Sequence, residues 1–183
     1  ILNRTKVVSE VAVVLDYNSL WANHIKPIHK EFTYEGYAQQ LVGQLAALGV
    51  NVDLIGADHP LDGYRLILMP FAPILPEDFR RKCRDYAEKG GHLLAMTMAF
   101  SRDEWGSGIF EKSQVGMTEF FGMHVVEMEP VFDGQTDAPV RIGELTIRSH
   151  FWQETLESEG AEVLCTFSGT YRDGWPVLTE HPY

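Results

Sequence analysis

The sequence predicts an α/β domain built on a parallel sheet with helices on both faces. Residues 11–15, Val-Ala-Val-Val-Leu, form a continuous apolar run rich in β-branched side chains, and residues 65–69 are apolar on both faces again. A strand with no polar face must be covered on both sides, which is the condition of a strand inside a parallel sheet. These runs alternate with amphipathic helical segments in the order β-α-β, β-α-β, and right-handed crossovers lay such helices on the two faces of one sheet. A chain of 183 residues that is 45 % apolar can bury one good core and is short for two. The whole of 1–183 is therefore read as one domain.

The first strand stops at Asp16. A loop is expected there, carrying Asp16, Tyr17, Asn18, Ser19 and Trp21, and the carboxyl ends of strands in open α/β sheets are where ligands and partners meet the fold. Residues 23–32 look irregular, broken by Pro27. A helix is predicted over 34–48, with Thr33 as its cap, Glu35 at its positive end, and Tyr34, Tyr37, Ala38, Leu41, Val42, Leu45 and Leu48 on one face. Gly49 follows where a left-handed residue is wanted. Strands are expected over 50–55, 65–69 and 93–97. Pro76 opens a further helix, with Phe79, Cys83, Tyr86 and Ala87 inward and Arg80, Arg81, Lys82 and Arg84 mostly outward.

Residues 100–113 read as a long polar loop containing Ser101, Arg102, Asp103, Glu104 and Trp105, and loops of that length in a compact domain tend to carry a function. A short helix over 115–121 leads to a fifth strand, 123–128. Beyond it, 141–148, 162–167 and 175–179 read as short strands, the last two closed into a hairpin by residues 169–174.

The net charge is -11, with no basic block, which argues against nucleic acid or an anionic membrane as a partner. No apolar run is long enough to span a bilayer, and no secretory leader is expected. The two cysteines, Cys83 and Cys165, lack CxxC spacing and read as buried thiols in a reducing, cytoplasmic setting. The chain opens on Ile1 close to its first strand, so a piece of a longer protein is expected.

Reactive motifs are missing. His24 and His29 are separated by Pro27 and cannot share a helical face as zinc ligands would, and no calcium loop exists. Gly106-Ser-Gly108 is a lone GxG that follows no strand, so no dinucleotide or phosphate site is expected. Phospho-acceptor chemistry at Asp16 would need a second aspartate where Met69-Pro70-Phe71 stands. There is no GxSxG. A glutaminase-like nucleophile would be a cysteine at the strand end Ala95-Met-Thr-Met-Ala-Phe100, which has none. The carboxylate neighbours Asp103/Glu104 and Glu127/Glu129 read as a solvated acidic surface. No catalytic residue, cofactor site or metal site is expected.

An ordered set of segments nonetheless resembles one family. They are residues 11–22 (VAVVLDYNSLWA), 45–53 (LAALGVNVD), 61–70 (LDGYRLILMP), 86–94 (YAEKGGHLL), 119–127 (EFFGMHVVE), 160–164 (GAEVL) and 174–180 (GWPVLTE). Together the chain is similar to the middle, trimerisation domain of glycoside hydrolase family 42 β-galactosidases. The segment after Phe100, Ser-Arg-Asp-Glu-Trp-Gly, departs from the family's usual wording. The resemblance implies a three-layer flavodoxin-like, class I glutamine amidotransferase-like fold, mostly parallel with a C-terminal β-hairpin, that has lost catalytic residues. It implies a homotrimer and a pocket wall for galactoside, with the catalytic glutamates in a separate barrel. Partner or pocket-wall candidates are Asp16, Tyr17, Trp21, Phe71, Phe100, Asp103 and Trp105. The competing expectation is a stand-alone enzyme or small-ligand binder using the strand ends near Asp16, Trp21, Phe71 and Asp103.

Overall fold

A computed structural model describes residue 5 and residues 7–108, 115–131, 139–168 and 173–182. Its centre is a four-stranded parallel sheet in the order β2-β1-β3-β4, formed by β1 (Val11–Val14), β2 (Val52–Ile55), β3 (Leu66–Met69) and β4 (His92–Ala95). Alternation along the strands explains the two-sided apolar pattern. Ala12, Val14, Ile67 and Met69 pack with Phe79, Cys83 and Tyr86 of α3 (Glu77–Glu88). Val11, Val13 and Leu68 point the other way, toward Ala38, Val42 and Leu45 of α2 (Tyr34–Ala47). The Thr33 side chain caps α2 by accepting from Gly36 N, and Gly49 has φ 78 just past its end.

Three expectations need correction. The segment after Asp16 is a helix, α1 (Tyr17–Ile25), because Asp16 caps it: its Oδ2 accepts from Ser19 N at 3.1 Å. Arg80 is buried, since its Nη1 donates 3.0 Å to Leu75 O while the guanidinium also grips Glu77. Residues 141–148 form two strands, β6 (Pro139–Ile142) and β7 (Leu145–Arg148), turned at Gly143 with φ 59.

The second half of the chain is antiparallel. After α4 (Thr118–Phe121), β5 (Met123–Pro130) pairs with β8 (Trp152–Ser158), a strand that the sequence reading lacks. The second four-stranded sheet runs β10-β9-β6-β7, with β9 (Glu162–Phe167) and β10 (Pro176–Glu180) paired as the expected C-terminal hairpin. The parallel part therefore holds four strands and the antiparallel part six. Residues 109–113 of the expected long loop and 169–172 of the expected hairpin turn lie outside the described residues.

Candidate functional site

The carboxyl ends of β1, β3 and β4 converge on the segment 70–75. Ser19 in α1 clips that segment: its Oγ donates to Ile74 O at 2.9 Å and accepts from Ile74 N at 3.1 Å. The loop that begins at Ser101 hangs on the same segment, through Arg102 N to Pro73 O at 3.0 Å and a parallel bridge between Ile74 and Arg102. Helix α1 and this loop thus flank one strip of backbone, and what they expose lies at the same end of the sheet.

The seven candidate residues separate by burial. Tyr17, Trp21 and Trp105 are 67 %, 60 % and 84 % exposed. Tyr17 and Trp21 lie one helical turn apart with ring centroids 6.2 Å from each other. Ile25, one turn further on, is exposed too. Phe71 and Phe100 are core residues with no surface to offer. Phe71 packs against Phe32 and Tyr34, with centroids 5.3 Å away in both cases, and Phe100 packs against Phe121. The two aspartates organise backbone. Asp16 is the buried cap of α1, and Asp103 Oδ1 accepts from Trp105 N at 3.0 Å and Ser107 N at 2.8 Å, which shapes the loop under Trp105.

Two carboxyls near the strand ends are perturbed. Burial raises the Asp16 pKa, opposed by the amide bonds that its carboxylate accepts from Ser19 and Asn18. Burial also pushes Glu154 up to about 7, against the bonds it accepts from Met98 N at 2.8 Å and Trp152 Nε1 at 3.1 Å. Sequence reasoning missed Glu154 because it missed its strand. Raised acids mark catalytic sites only in company. Here backbone amides engage Asp16, one amide and an indole N–H engage Glu154, and the nearby hydroxyl, Ser19 Oγ, is occupied by both polar groups of Ile74.

The turn after β4 holds Met98 at φ 58 and Phe100 at φ 60, left-handed backbone that full side chains rarely adopt, and neither a thioether nor a phenyl ring is a nucleophile. The Cys83 thiol sits on the buried face of α3, and burial lifts its pKa to about 12, so it stays protonated. No cluster of three or more metal-ligating side chains occurs among the described residues, and none of their helices is long and apolar enough to cross a membrane. What this end of the molecule offers chemically is a face of exposed aromatic rings on a braced backbone. Aromatic rings of that kind are enriched in protein–protein contacts.

The model of a family described as the β-galactosidase trimerisation domain matches residues 9–183. Among curated proteins, the chain is 26 % identical over 186 residues to the β-galactosidase BglY of Alicyclobacillus acidocaldarius, covering 96 % of this chain and 27 % of that protein. It is 28 % identical to the β-galactosidase Bga of Halorubrum lacusprofundi, covering 83 % of this chain and 23 % of that one. The chain thus spans about a quarter of the length of these relatives. Among solved structures, the polyextremophilic β-galactosidase of Halorubrum lacusprofundi superposes with a TM-score of 0.86 at 26 % identity, over 95 % of this chain and 26 % of that one. The β-galactosidase of Bacillus circulans has the same fold, with a TM-score of 0.87 at 17 % identity, over 96 % of this chain and 27 % of that one.

Proposed function

The chain belongs to the β-galactosidase trimerisation domain family, and from that premise we propose that it is the non-catalytic assembly domain of a larger cytoplasmic β-galactosidase. Hydrolysis of terminal β-galactosides then falls to a catalytic barrel outside these residues. Residues 1–183 act as one α/β unit of flavodoxin-like, amidotransferase-like type. The β2-β1-β3-β4 order of the parallel sheet supports that assignment. The partners are two further copies of the chain and the parent's own barrel, and galactoside meets the domain only as a wall of the full enzyme's pocket.

The observation that carries the reading is the family match over residues 9–183, and the exposed aromatics support this end of the sheet as the assembly surface. In a cyclic trimer one patch meets a different patch, repeated until the ring closes. Tyr17, Trp21 and Trp105 supply the first patch, on a strip that Ser19 and Arg102 hold in place. Sedimentation equilibrium of the purified chain tests the assembly, with a mass three times that of the monomer as the expected result. A chromogenic galactoside tests the chemistry: the chain alone leaves it intact. Turnover abolished by a substitution within the chain would instead support a stand-alone enzyme.

A further inference from the structure

The antiparallel sheet β10-β9-β6-β7 has one apolar face, and only part of it is covered. Residues opposite each other on paired strands share a face. The register sets Val140 opposite Ile147 and Phe167, and Ile142 opposite Leu145. Alternation along β9 adds Val163 and Cys165 to the same side. In β6, β7 and β9 the other side carries Arg141, Thr146, Arg148, Glu162 and Thr166, with Pro139 and Leu164 as its apolar members. Val140, Cys165 and Phe167 are buried with Val177 and Leu178 of β10. Toward β7 the same face opens to solvent: Ile142, Leu145, Ile147 and Val163 are 42 %, 67 %, 48 % and 40 % exposed. Strand β7 is also the edge of its sheet. Edges are normally blunted by charge or proline, and Leu-Thr-Ile at an edge invites a partner.

We propose that the uncovered face of the β6–β7 hairpin is the second patch of the ring, and that it seats Tyr17, Trp21 and Trp105 of the next copy of this chain. The proposal rests on the assembly reading and supplies what that reading lacks. A closed ring of three needs two different patches on each copy, and the aromatic strip is only one of them. The two patches lie in different halves of the fold, the strip at the end of the parallel sheet and the hairpin in the antiparallel one. Their chemistry is complementary: exposed aromatic rings are the usual anchors of an interface, and branched aliphatic side chains on a sheet give them an apolar seat. Their charges agree as well. Copies of a chain with net charge -11 repel one another, so a contact between them must pair unlike segments. Residues 139–148 hold two arginines against one glutamate, and residues 101–105 hold two carboxylates against one arginine. Arg141, next to Ile142, and Glu104, next to Trp105, are both exposed.

Sedimentation equilibrium of the 183-residue chain tests the pairing with two double variants, W21A/W105A in the strip and L145K/I147K in the hairpin. Each is expected to self-associate at least about tenfold more weakly than the wild-type trimer. Unfolding temperatures should stay within a few degrees, since the replaced side chains face solvent. Mixing the two variants in equal amounts is the decisive arm. Each keeps one good patch, so the mixture should form a one-to-one dimer and stop there. L145K alone, at the most exposed of the hairpin positions, replaces the pair should L145K/I147K fail to fold. A trimer that the hairpin variants leave intact overturns the proposal while the assembly reading stands, and gives the hairpin face to another occupant, such as an adjoining part of a longer protein. Variants that are monomeric alone and remain so when mixed overturn it too, because the patches then do not face each other. A wild-type chain that is monomeric throughout overturns both readings.

Discussion

Ser19 Oγ both donates to and accepts from the backbone of Ile74, at 2.9 and 3.1 Å, across 55 residues of sequence and with no exposure to water. A single hydroxyl thereby satisfies the amide and the carbonyl of a residue outside any strand or helix. Removing it strands both groups in the interior. The S19A variant is expected to lose about 2 kcal/mol of stability, the cost of leaving buried backbone polar groups without a partner. Urea denaturation with the denaturant slope unchanged checks it; a loss below about 0.5 kcal/mol would mean that water replaces the hydroxyl.

Arg80 plays the corresponding part on the other side of the segment. The residue is 9 % exposed, and its guanidinium donates to Leu75 O at 3.0 Å and reaches Glu77 through Nε at 2.9 Å. The pairing also holds the Glu77 carboxyl below the usual carboxylate range. R80A is expected to cost about 2 kcal/mol, and R80K to recover less than half, because an ammonium cannot serve both acceptors in the fork geometry. Thermal unfolding of the two variants side by side separates loss of charge from loss of geometry.

The parallel half was legible because its signals are local. Val11 and Val13 oppose Ala12 and Val14 across β1, so both faces had to be covered, and Thr33 and Gly49 bracket α2 by their own chemistry. Helix α1 was not legible. Tyr17 and Trp21 are exposed while Ser19 and Asn23 are buried, so its apolar pattern points the wrong way, and a tertiary contact at Ile74 anchors it. Strand β8 was hidden for the same reason: Gln153 and Thr155 face inward, which inverts the usual alternation. Glu154 was lost with it. Of the candidate residues, Tyr17, Trp21 and Trp105 expose their rings. Phe71 and Phe100 could not be told from them, because an aromatic at a strand end reads alike whether it covers the core or faces solvent.

Both cysteines are expected to be silent in the folded chain. Cys83 has no exposed surface and a thiol pushed up to about 12, and Cys165 is 5 % exposed. A disulfide-exchange reagent at pH 8 should label neither until denaturant is added, and then both. Fast labelling of the native chain would show that α3 opens locally.

Stability should fall as pH rises through neutrality. The Glu154 pKa is raised from its ordinary value of 4.5 to about 7, so between these values the folded chain holds a proton that the unfolded chain has released. The unfolded state binds fewer protons there, so the slope of unfolding free energy against pH is negative. The stabilisation is complete below the ordinary value and gone above the raised one. Asp16, also raised by burial, acts in the same direction lower in the pH range. E154Q should flatten the fall and be more stable than the wild type at pH 8 by about 1–3 kcal/mol. Urea midpoints at pH 5.5 and 8 for both proteins read the sign directly.

The aromatic face makes the last prediction separable from folding. Trp21 and Trp105 are 60 % and 84 % exposed, and Trp105 makes its hydrogen bond through its backbone, to Asp103. Truncating either side chain removes little that the monomer uses. W21A and W105A should each leave the unfolding temperature within a degree or two of the wild type, as surface changes usually do. Interface anchors of this kind are worth about 2 kcal/mol or more when truncated, so each variant should weaken self-association at least about tenfold. Loss of assembly at unchanged unfolding temperature is the expected pair of results. Unchanged assembly in the double variant would move the contact to another face, of which the apolar residues Ile142, Leu145 and Ile147 on the β6–β7 hairpin are the next to truncate.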